Sequence, residues 1–358
     1  MTNYIIRRLL LVPVLLVGVS LIIFGMLQLL GPVERSALYV VDFPKNEKQI
    51  DAVIKKYGLD DPFFVQYWHW LVGVTKPDTQ GNMVRDGGIL FGDFGYSRTA
   101  SQDVIDIIKN RFPNTVDLAL WTIYPMLSVG IWMGVKAAVN QNKFFDQAAR
   151  IYSIIGTSFP TFVFGLLLLM LLYANNQWFL PGKMSPWVDI LIRSDEGFRQ
   201  YTHLLSIDAL LNLRFDVFWD ALRHMIMPII TLSYISWATF VRVTRSSMLE
   251  TLRMDYVTTA RSKGLPERVV INEHARPNAM LPVVTMMGSS IVGLLGGIVI
   301  TETVFNYPGI GKAAADAASQ LDVVTILGLA IFTGLILILS NLVVDILYAF
   351  IDPRVRLS

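Results

Sequence analysis

Residues 245–282 read RSSMLETLRMDYVTTARSKGLPERVVINEHARPNAMLP, and this polar run lies directly between two segments apolar enough to cross a bilayer. Helix-forming residues dominate from Ser246 to Lys263, and Gly264 is well placed for the left-handed residue that ends a helix. Pro266 suits the first turn of a second helix, because the N–H that proline lacks has no partner there. The pattern therefore predicts two short helices with a break at Gly264.

The charge of this stretch predicts the side of the membrane that it occupies. Its basic residues outnumber its acidic ones, which is typical of a cytoplasmic loop under the positive-inside rule. They are Arg245, Arg253, Arg261, Lys263, Arg268 and Arg276, against Glu250, Asp255, Glu267 and Glu273. Composition alone leaves two interpretations open. The loop either touches lipid headgroups or receives another protein, whose backbone the small residues Ala260 and Gly264 would admit.

The composition of the whole chain indicates a membrane protein. Of its 358 residues 53% are hydrophobic and only 16% charged, with a mean hydropathy of +0.50; soluble domains carry roughly 25% charged residues. A net charge of +2 gives no argument for a nucleic-acid partner. Cysteine is absent, which excludes disulfides, thiolate nucleophiles and cysteine-ligated metals.

Six stretches are long and apolar enough to span a membrane: about 9–30, 115–138, 150–173, 223–243, 281–303 and 323–350. An even number of spans places both termini on one side. Arg7 and Arg8 before the first stretch, and Arg354 and Arg356 after the last, indicate that this side is the cytoplasm. The first stretch has no convincing cleavage site, so it is predicted to be a retained signal-anchor helix.

The spans divide the chain into four parts. A first transmembrane helix occupies 1–30, an extracytoplasmic insert 31–113, a five-helix core 114–350 with the loop 245–280, and a cytoplasmic tail 351–358. Within the insert, Asn46 to Tyr57 has the apolar spacing of a short amphipathic helix. The predicted fold is thus an all-α membrane protein with six transmembrane helices and one sizeable insert after the first.

Chemistry that would power or catalyse a reaction is not evident in the sequence. The nearest approach to a phosphate-binding loop is PGIGK at 308–312, where Asn306 and Ala313 occupy positions that need Gly and Ser or Thr. A turn between spans, specified by Pro308 and Gly309, is the preferred interpretation. The four histidines are scattered without ligand spacing, so no metal site is predicted.

Few ionisable residues within the predicted spans are candidates for a pathway. Asp117, Glu302 and Asp345 fall near span ends, where snorkelling or a water-filled vestibule would reduce the free-energy cost of a charged side chain. The fifth span also carries a set of small residues that would either line a path or pack against a neighbouring helix. These are Gly288, Ser289, Gly293, Gly296 and Gly297.

Several stretches resemble the permeases of dipeptide and oligopeptide ABC importers, which depend on a binding protein. The motifs are TARSKGL at 259–265, HARPNAMLP at 274–282, GDFGYS at 92–97, ETVFNYPGIGKAAADA at 302–317 and LVVDILYAFIDPRVR at 342–356. The resemblance covers most of the chain and is weak at 31–88 and 174–222. The loop 245–280 is similar to the family's EAA loop, although Thr258 stands where the general pattern has Glu.

The resemblance implies a type I ABC-importer permease fold in a bacterial cytoplasmic (inner) membrane. It implies that the loop docks on an ATPase subunit, and that the chain itself is not an enzyme and binds no cofactor, ATP and magnesium being held by partner chains. The partners implied are a second homologous permease chain, two ATPase subunits, an extracytoplasmic substrate-binding protein and membrane lipid. The coupling residues implied are Thr259, Ala260, Arg261, Lys263, Gly264, Leu265 and Pro277.

The sequence leaves alternatives open for both the cargo and the energy source. The family's cargo is peptides or peptide-like solutes, while some of its members carry oligosaccharides or metal chelates. A different class, an ion-coupled secondary transporter, would work without ATPase partners, and a membrane scaffold or channel component would not transport on its own. The scarcity of charged residues near the membrane midplane argues against the ion-coupled carrier.

Overall fold

Two long helices, α5 (Val104–Val139) and α10 (Phe215–Thr251), have 36 and 37 residues in the computed structural model of this chain. The structure describes residues 2–36, 46–77, 83–194, 197–296 and 298–351. Gly297, Arg354 and Arg356 lie outside the described residues. The predictions made for these three residues therefore have no structural counterpart.

The elements before α5 are α1 (Thr2–Leu27), α2 (Pro32–Ser36), α3 (Glu47–Tyr57), α4 (Phe63–Val72), β1 (Val74–Pro77), β2 (Met83–Asp86), β3 (Tyr96–Ser97) and β4 (Gln102–Asp103). Between α5 and α10 lie α6 (Phe144–Ser158), α7 (Thr161–Leu168), a π-helical turn (Leu169–Ala174), α8 (Pro186–Arg193) and α9 (Leu205–Leu211). After α10 come α11 (Asp255–Ser262), α12 (Glu267–Val269), a second π-helical turn (Val270–Ala275), α13 (Arg276–Ala279), α14 (Leu281–Leu295), α15 (Val299–Val304), α16 (Ile310–Ser319) and α17 (Val323–Ile351).

Four helices in the described part of the chain are long and apolar enough to cross a membrane: Ile6–Leu27, α5, α10 and Val323–Leu347. Two bent helix pairs bring the number to six if each pair is one span. The stretch predicted at 150–173 is not one straight helix, because the chain bends by 102° between Ser158 and Thr161. Pro160 explains the break, since proline removes a helical hydrogen bond and keeps the preceding residue out of the helical region.

The stretch predicted at 281–303 is also interrupted. Helix α14 ends at Leu295 and α15 begins at Val299, and the pair Glu267–Ala279 with Leu281–Leu295 is bent by 52°. Gly296 follows α14 and donates its N–H to the carbonyl of Val292. A helix ends readily at glycine, because fixing the flexible glycine backbone in the helical conformation costs more entropy than fixing other residues.

The structure divides into two compact units. One comprises residues 113–312 and the chain from Val343 onward. In it α10 packs closely on α5 and α6. A methyl group at Gly130 or Gly134 of α5 would collide with Phe240 or Thr244 of α10. These glycines form a Gly-x-x-x-Gly spacing, which lets two helix backbones approach closely.

The other unit comprises residues 2–112 and 313–342. Here α1 packs on α4 through Phe24 and Tyr67, and Ser20 of α1 lies 2.8 Å from the Tyr67 hydroxyl. Helix α3 confirms the amphipathic helix predicted from the sequence: Asn46 caps its start, and Gly58, with φ of 63°, ends it.

Two small antiparallel hairpins, which the sequence analysis did not predict, follow α4 in this unit. In β1–β2, Val74 pairs with Asp86 and Pro77 with Met83. The second, β3–β4, is held near the start of α17 by Asp322, which accepts hydrogen bonds from Ser97 (2.6 Å) and Thr99 (2.8 Å). Burial raises the pKa of Asp322, but these bonds and those from Thr325 outweigh it and leave the pKa below the ordinary value.

Candidate functional site

The loop 245–280 contains a break that the sequence did not predict. Helix α10 ends at Thr251, and a turn closed by the Met254 N–H on the Thr251 carbonyl (3.1 Å) precedes α11. One continuous helix from Ser246 to Lys263 is therefore wrong. The turn lets α11 bury Val257 and Ala260 in a cluster with Met248 of α10 and with Val270 and Ala275 of the second π-helical turn, and burial of this kind overrides local helix propensity.

The prediction for Gly264 is confirmed. It has φ of 76° and donates its N–H to the carbonyl of Arg261 (2.9 Å), just after α11. Nothing lies within 4 Å of the place where its Cβ would be. Glycine is favoured here by the backbone conformation alone. Pro266 stands immediately before α12, one residue earlier than the first turn in which it was predicted.

The interior of the loop is a small apolar cluster. Its members are Ala138, Met248, Val257, Ala260, Val270, Ala275 and Ala279. Ala260 is only 5% exposed, so its side chain is not available for the close approach of a second protein that the sequence suggested. Its small size instead lets α11 lie close to the rest of the cluster.

An ion pair joins the two halves of the loop. Arg261 donates from Nε and Nη2 to the two carboxylate oxygens of Glu267, at 3.1 and 2.7 Å. Because both side chains are substantially exposed, the pair contributes at most about 1 kcal/mol to folding. It links the end of α11 to the start of α12 across the Gly264 turn.

One hydrogen bond joins the two ends of the loop, and one ion pair ties the loop to α6. Ser247 of α10 donates to the carbonyl of Ala279 in α13 at 2.8 Å. Arg245 of α10 donates to the fully buried carboxylate of Asp146 in α6 at 2.9 Å, and Arg150 lies 3.2 Å from the same carboxylate. A displacement of the loop would therefore be transmitted to α6 and α10.

The outward face of the loop contains the remaining predicted coupling residues. Thr259, Lys263, Gly264, Leu265 and Pro277 are exposed, and Arg261 is exposed beside its partner. Sequence reasoning missed two apolar side chains in the same loop, Met254 and Tyr256, which are 43% and 42% exposed. Helical spacing gave no signal for Tyr256, because it precedes the buried Ala260 by four residues and would be expected to share its face.

The second predicted feature, the PGIGK turn, closes over a buried carboxylate. Glu302 is fully buried and accepts hydrogen bonds from the Thr115 hydroxyl (2.7 Å) and the Lys312 N–H (2.8 Å). A methyl group at Gly309 would collide with this carboxylate, and one at Gly311 would lie 2.7 Å from the backbone of Val299. The glycines provide space for an internal carboxylate. Pro308 and Gly309 form a turn, as predicted, but it joins the short helices α15 and α16 rather than two spans, because Ile310 already begins α16.

Glu302 and Asp117 do not snorkel, contrary to the sequence analysis. Asp117 is 1% exposed and accepts two hydrogen bonds from Ser206, one from its hydroxyl and one from its N–H (3.1 Å). Asp345 is half-buried in α17. The hydrogen bonds to the first two carboxylates replace the water that snorkelling would have supplied.

The small residues of α14 do not share one environment. Gly288 is buried, whereas Ser289 and Gly293 are exposed and no atom lies within 4 Å of a Cβ placed at Gly293. Gly296 is half-buried. Ser289, Gly293 and Gly296 lie on one face by helical spacing, and that face is open in this chain.

The described residues contain no group of three or more His, Asp and Glu side chains placed to hold a metal. Ser185, Asp220 and His224 do come together, but Ser185 donates to Asp220 (2.5 Å) rather than to His224. The other ring nitrogen of His224 faces the Pro181 carbonyl at 3.0 Å. A catalytic triad needs serine to face histidine and histidine to face the acid, so this cluster is structural.

The chain is similar to two family descriptions over nearly its whole length. Residues 127–357 match the binding-protein-dependent transport system inner membrane component, and residues 1–119 match the N-terminal part of the membrane component of such systems. An oligopeptide transport system permease protein (AppB) of Bacillus subtilis is 34% identical over 357 residues, covering 99% of this chain and 100% of the relative.

Two further relatives match this chain over nearly the full length of both sequences. A dipeptide transport system permease protein (DppB) of Escherichia coli is 36% identical over 359 residues, 99% of each chain. A glutathione transport system permease protein (GsiC) of Salmonella choleraesuis is 33% identical over 358 residues, again 99% of each.

Proposed function

Because this chain belongs to the family of binding-protein-dependent transport system inner membrane components, we propose that it is one of two permease subunits of an ATP-driven importer for peptides or peptide-like solutes. The family consists of multi-pass inner-membrane transport subunits, not enzymes. The peptide cargo follows the printed names of the relatives, which are oligopeptide, dipeptide and glutathione permeases.

The observation that carries the proposal is the construction of the loop 245–280. Its exposed face is mounted on an apolar interior and tied to α6 and α10 by Asp146–Arg245 and to α13 by Ser247. A surface built in this way can receive force and pass it to helices without deforming first. Closure of two ATPase chains would push on this face and tilt the attached helices as rigid bodies, exchanging inward for outward access.

ATP and magnesium are assigned to the separate ATPase chains in this proposal. The PGIGK turn supports this assignment, because its N–H groups already face the chain's own Thr115 and Glu302. A phosphate would have to displace a buried carboxylate of like charge. The energy for transport is therefore supplied from outside this polypeptide.

The orientation and the other partners follow from the same arrangement. The basic loop and both termini face the cytoplasm, where the ATPase chains are found. A homologous permease chain completes the path, and an extracytoplasmic binding protein delivers the solute. The open face of α14, with Ser289, Gly293 and Gly296, is assigned either to the path or to the interface with the second permease chain.

The test compares Gly264→Asp with Gly264→Asn in the reconstituted complex. Both side chains tolerate a positive φ and have nearly the same size, and space is available at this position. They differ in charge. If the basic loop docks in an acidic groove, the Asp variant loses solute uptake and stimulated ATP hydrolysis, whereas the Asn variant retains most of both.

Membrane insertion and co-purification of the second permease chain serve as controls and should be unchanged in both variants. Normal uptake by Gly264→Asp would contradict the docking of this loop. Uptake by this chain alone in proteoliposomes, without ATPase chains, would contradict the whole proposal and favour an ion-coupled carrier.

A further inference from the structure

A long groove runs along one face of α5 and ends at the loop. It has a volume of about 910 Å³. The α5 side chains that line it recur every three or four residues, as expected for one helix face. They are Leu120, Ile123, Tyr124, Leu127, Ser128, Ile131, Trp132, Val135, Lys136 and Val139, and Asn140 follows directly after the helix.

Three cations converge at the loop end of this groove. Lys136 comes from α5, and Arg268 and Arg276 come from α12 and α13, with Ile271 and Asn272 between them. All three cations are exposed. No carboxylate lines the groove, and within the described residues none of the three forms a salt bridge. The convergence leaves a concentrated positive charge beside an apolar surface.

Lys136 is held in place by aromatic rings. Its Nζ lies 4.7 Å from the ring centre of Trp132 and 4.6 Å from that of Phe145. Cation–π contacts of this kind orient an ammonium group without neutralising its charge. Arg261 differs, because its charge is satisfied by Glu267. The groove therefore presents exposed positive charges that are available to bind an anion.

We propose that this groove binds an anionic phospholipid of the cytoplasmic leaflet, with its phosphate between Lys136, Arg268 and Arg276 and its acyl chains along α5. The proposal rests on the cytoplasmic orientation proposed for the loop, but it does not require the loop to dock on an ATPase chain. The groove has the two properties that such a lipid requires, an apolar wall and a cationic end. That end lies on the side where the positive-inside rule places the headgroups of the cytoplasmic leaflet.

The dimensions agree with a lipid of one leaflet. At 1.5 Å per residue, the distance along α5 from Lys136 to Leu127 is about 14 Å. That is roughly half of a 30 Å hydrocarbon core. Leu127, Ile131 and Val135 form the apolar wall over this distance. The headgroup would then connect α5 to the loop, because Lys136 and the two arginines belong to different elements.

The experiment uses the complete transporter in nanodiscs that contain equal amounts of phosphatidylglycerol and phosphatidylcholine. Ser128 is exposed in the groove, and the natural chain has no cysteine, so Ser128→Cys carries a benzophenone label at one position in this chain. After photolysis, mass spectrometry should identify phosphatidylglycerol as the predominant adduct. Equal adducts with the two lipids, or an adduct with the second permease chain or with the solute, would overturn the proposal.

Charge variants sharpen the result. Each cation near an anionic surface is worth about a fivefold change in affinity, so Lys136→Gln should reduce the preference for phosphatidylglycerol by about that factor. Replacing Arg268 and Arg276 by Gln as well should abolish it. Arg253→Gln is the matched control, because Arg253 belongs to the same loop but lines other cavities. An equal loss of preference in the control would contradict a defined site.

Discussion

Two glycine-containing turns in the same unit use glycine for opposite reasons. At Gly264 the surroundings are empty and the backbone requires a positive φ. At Gly309 and Gly311 the surroundings are full, because the turn is pressed against Glu302 and Val299. The first turn is exposed on the candidate coupling face, and the second encloses a buried carboxylate. An exposed turn of this kind can meet a partner, whereas a filled one can only support the fold.

The comparison predicts its largest effect at Gly311. Gly311→Ala should lower the free energy of unfolding by about 3 kcal/mol, because its methyl group would press on the backbone of Val299 and disturb Glu302. Denaturation of the purified chain by a detergent titration measures this change. Gly293→Ala is the control: no atom surrounds that position, and a change within about 0.5 kcal/mol is expected. Equal stability of the two variants would remove the distinction between filled and open glycines.

A smaller effect is expected inside the loop. Ala260→Leu adds volume to a cluster in which the native side chain is 5% exposed, so we expect a loss of about 2 kcal/mol in the free energy of unfolding. Thr259→Leu changes the neighbouring exposed position and should leave the stability nearly unchanged. The two variants can be compared by the same titration. If Thr259→Leu were the more destabilising, the assignment of inner and outer faces of α11 would be reversed.

At Gly264 the effect should be smaller still and should depend on the backbone. Gly264→Ala is expected to lower the free energy of unfolding by about 1 kcal/mol, because alanine adopts a positive φ only with strain. Gly264→Asn should lower it less, since asparagine visits that region readily. If Gly264→Asn had a lower free energy of unfolding than Gly264→Ala, the side chain rather than φ would determine the preference for glycine at this position.

The smallest effect belongs to the exposed ion pair of the loop. Arg261→Ala should reduce stability by about 0.5 kcal/mol, as is usual for a solvent-exposed pair. High salt should reduce the difference between this variant and the natural chain, because salt screens exposed charges. A salt-independent loss of several kcal/mol would show that the pair is shielded from solvent.

The sequence was sufficient for features that depend on local chemistry. The amphipathic spacing of α3, the positive φ at Gly264 and the apolar lengths of α1, α5, α10 and α17 follow from residue type and spacing. Features that depend on distant partners were not predicted. Glu302 was expected to reach water, because nothing near it in the sequence indicates that Thr115 would donate to it.

The same limit applies to the turn after Thr251, where burial of Val257 and Ala260 in a cluster with residues distant in sequence decides the path of the chain. The Gly130 and Gly134 pair was a missed signal of another kind, since its spacing is visible in the sequence. It was overlooked beside the richer set of small residues in α14. That set proved to be divided between a buried position at Gly288 and an open face.

The close contact between α5 and α10 has a geometric consequence. A Cβ at Gly134 would lie 3.0 Å from the Val241 carbonyl, so the two backbones approach closely at this point. A helix of 37 residues is about 55 Å long. Turning such a rod by about 10° about one end would swing its other end by about 10 Å, given that length. A small rotation of this helix would thus become a large displacement at the end that is far from the pivot.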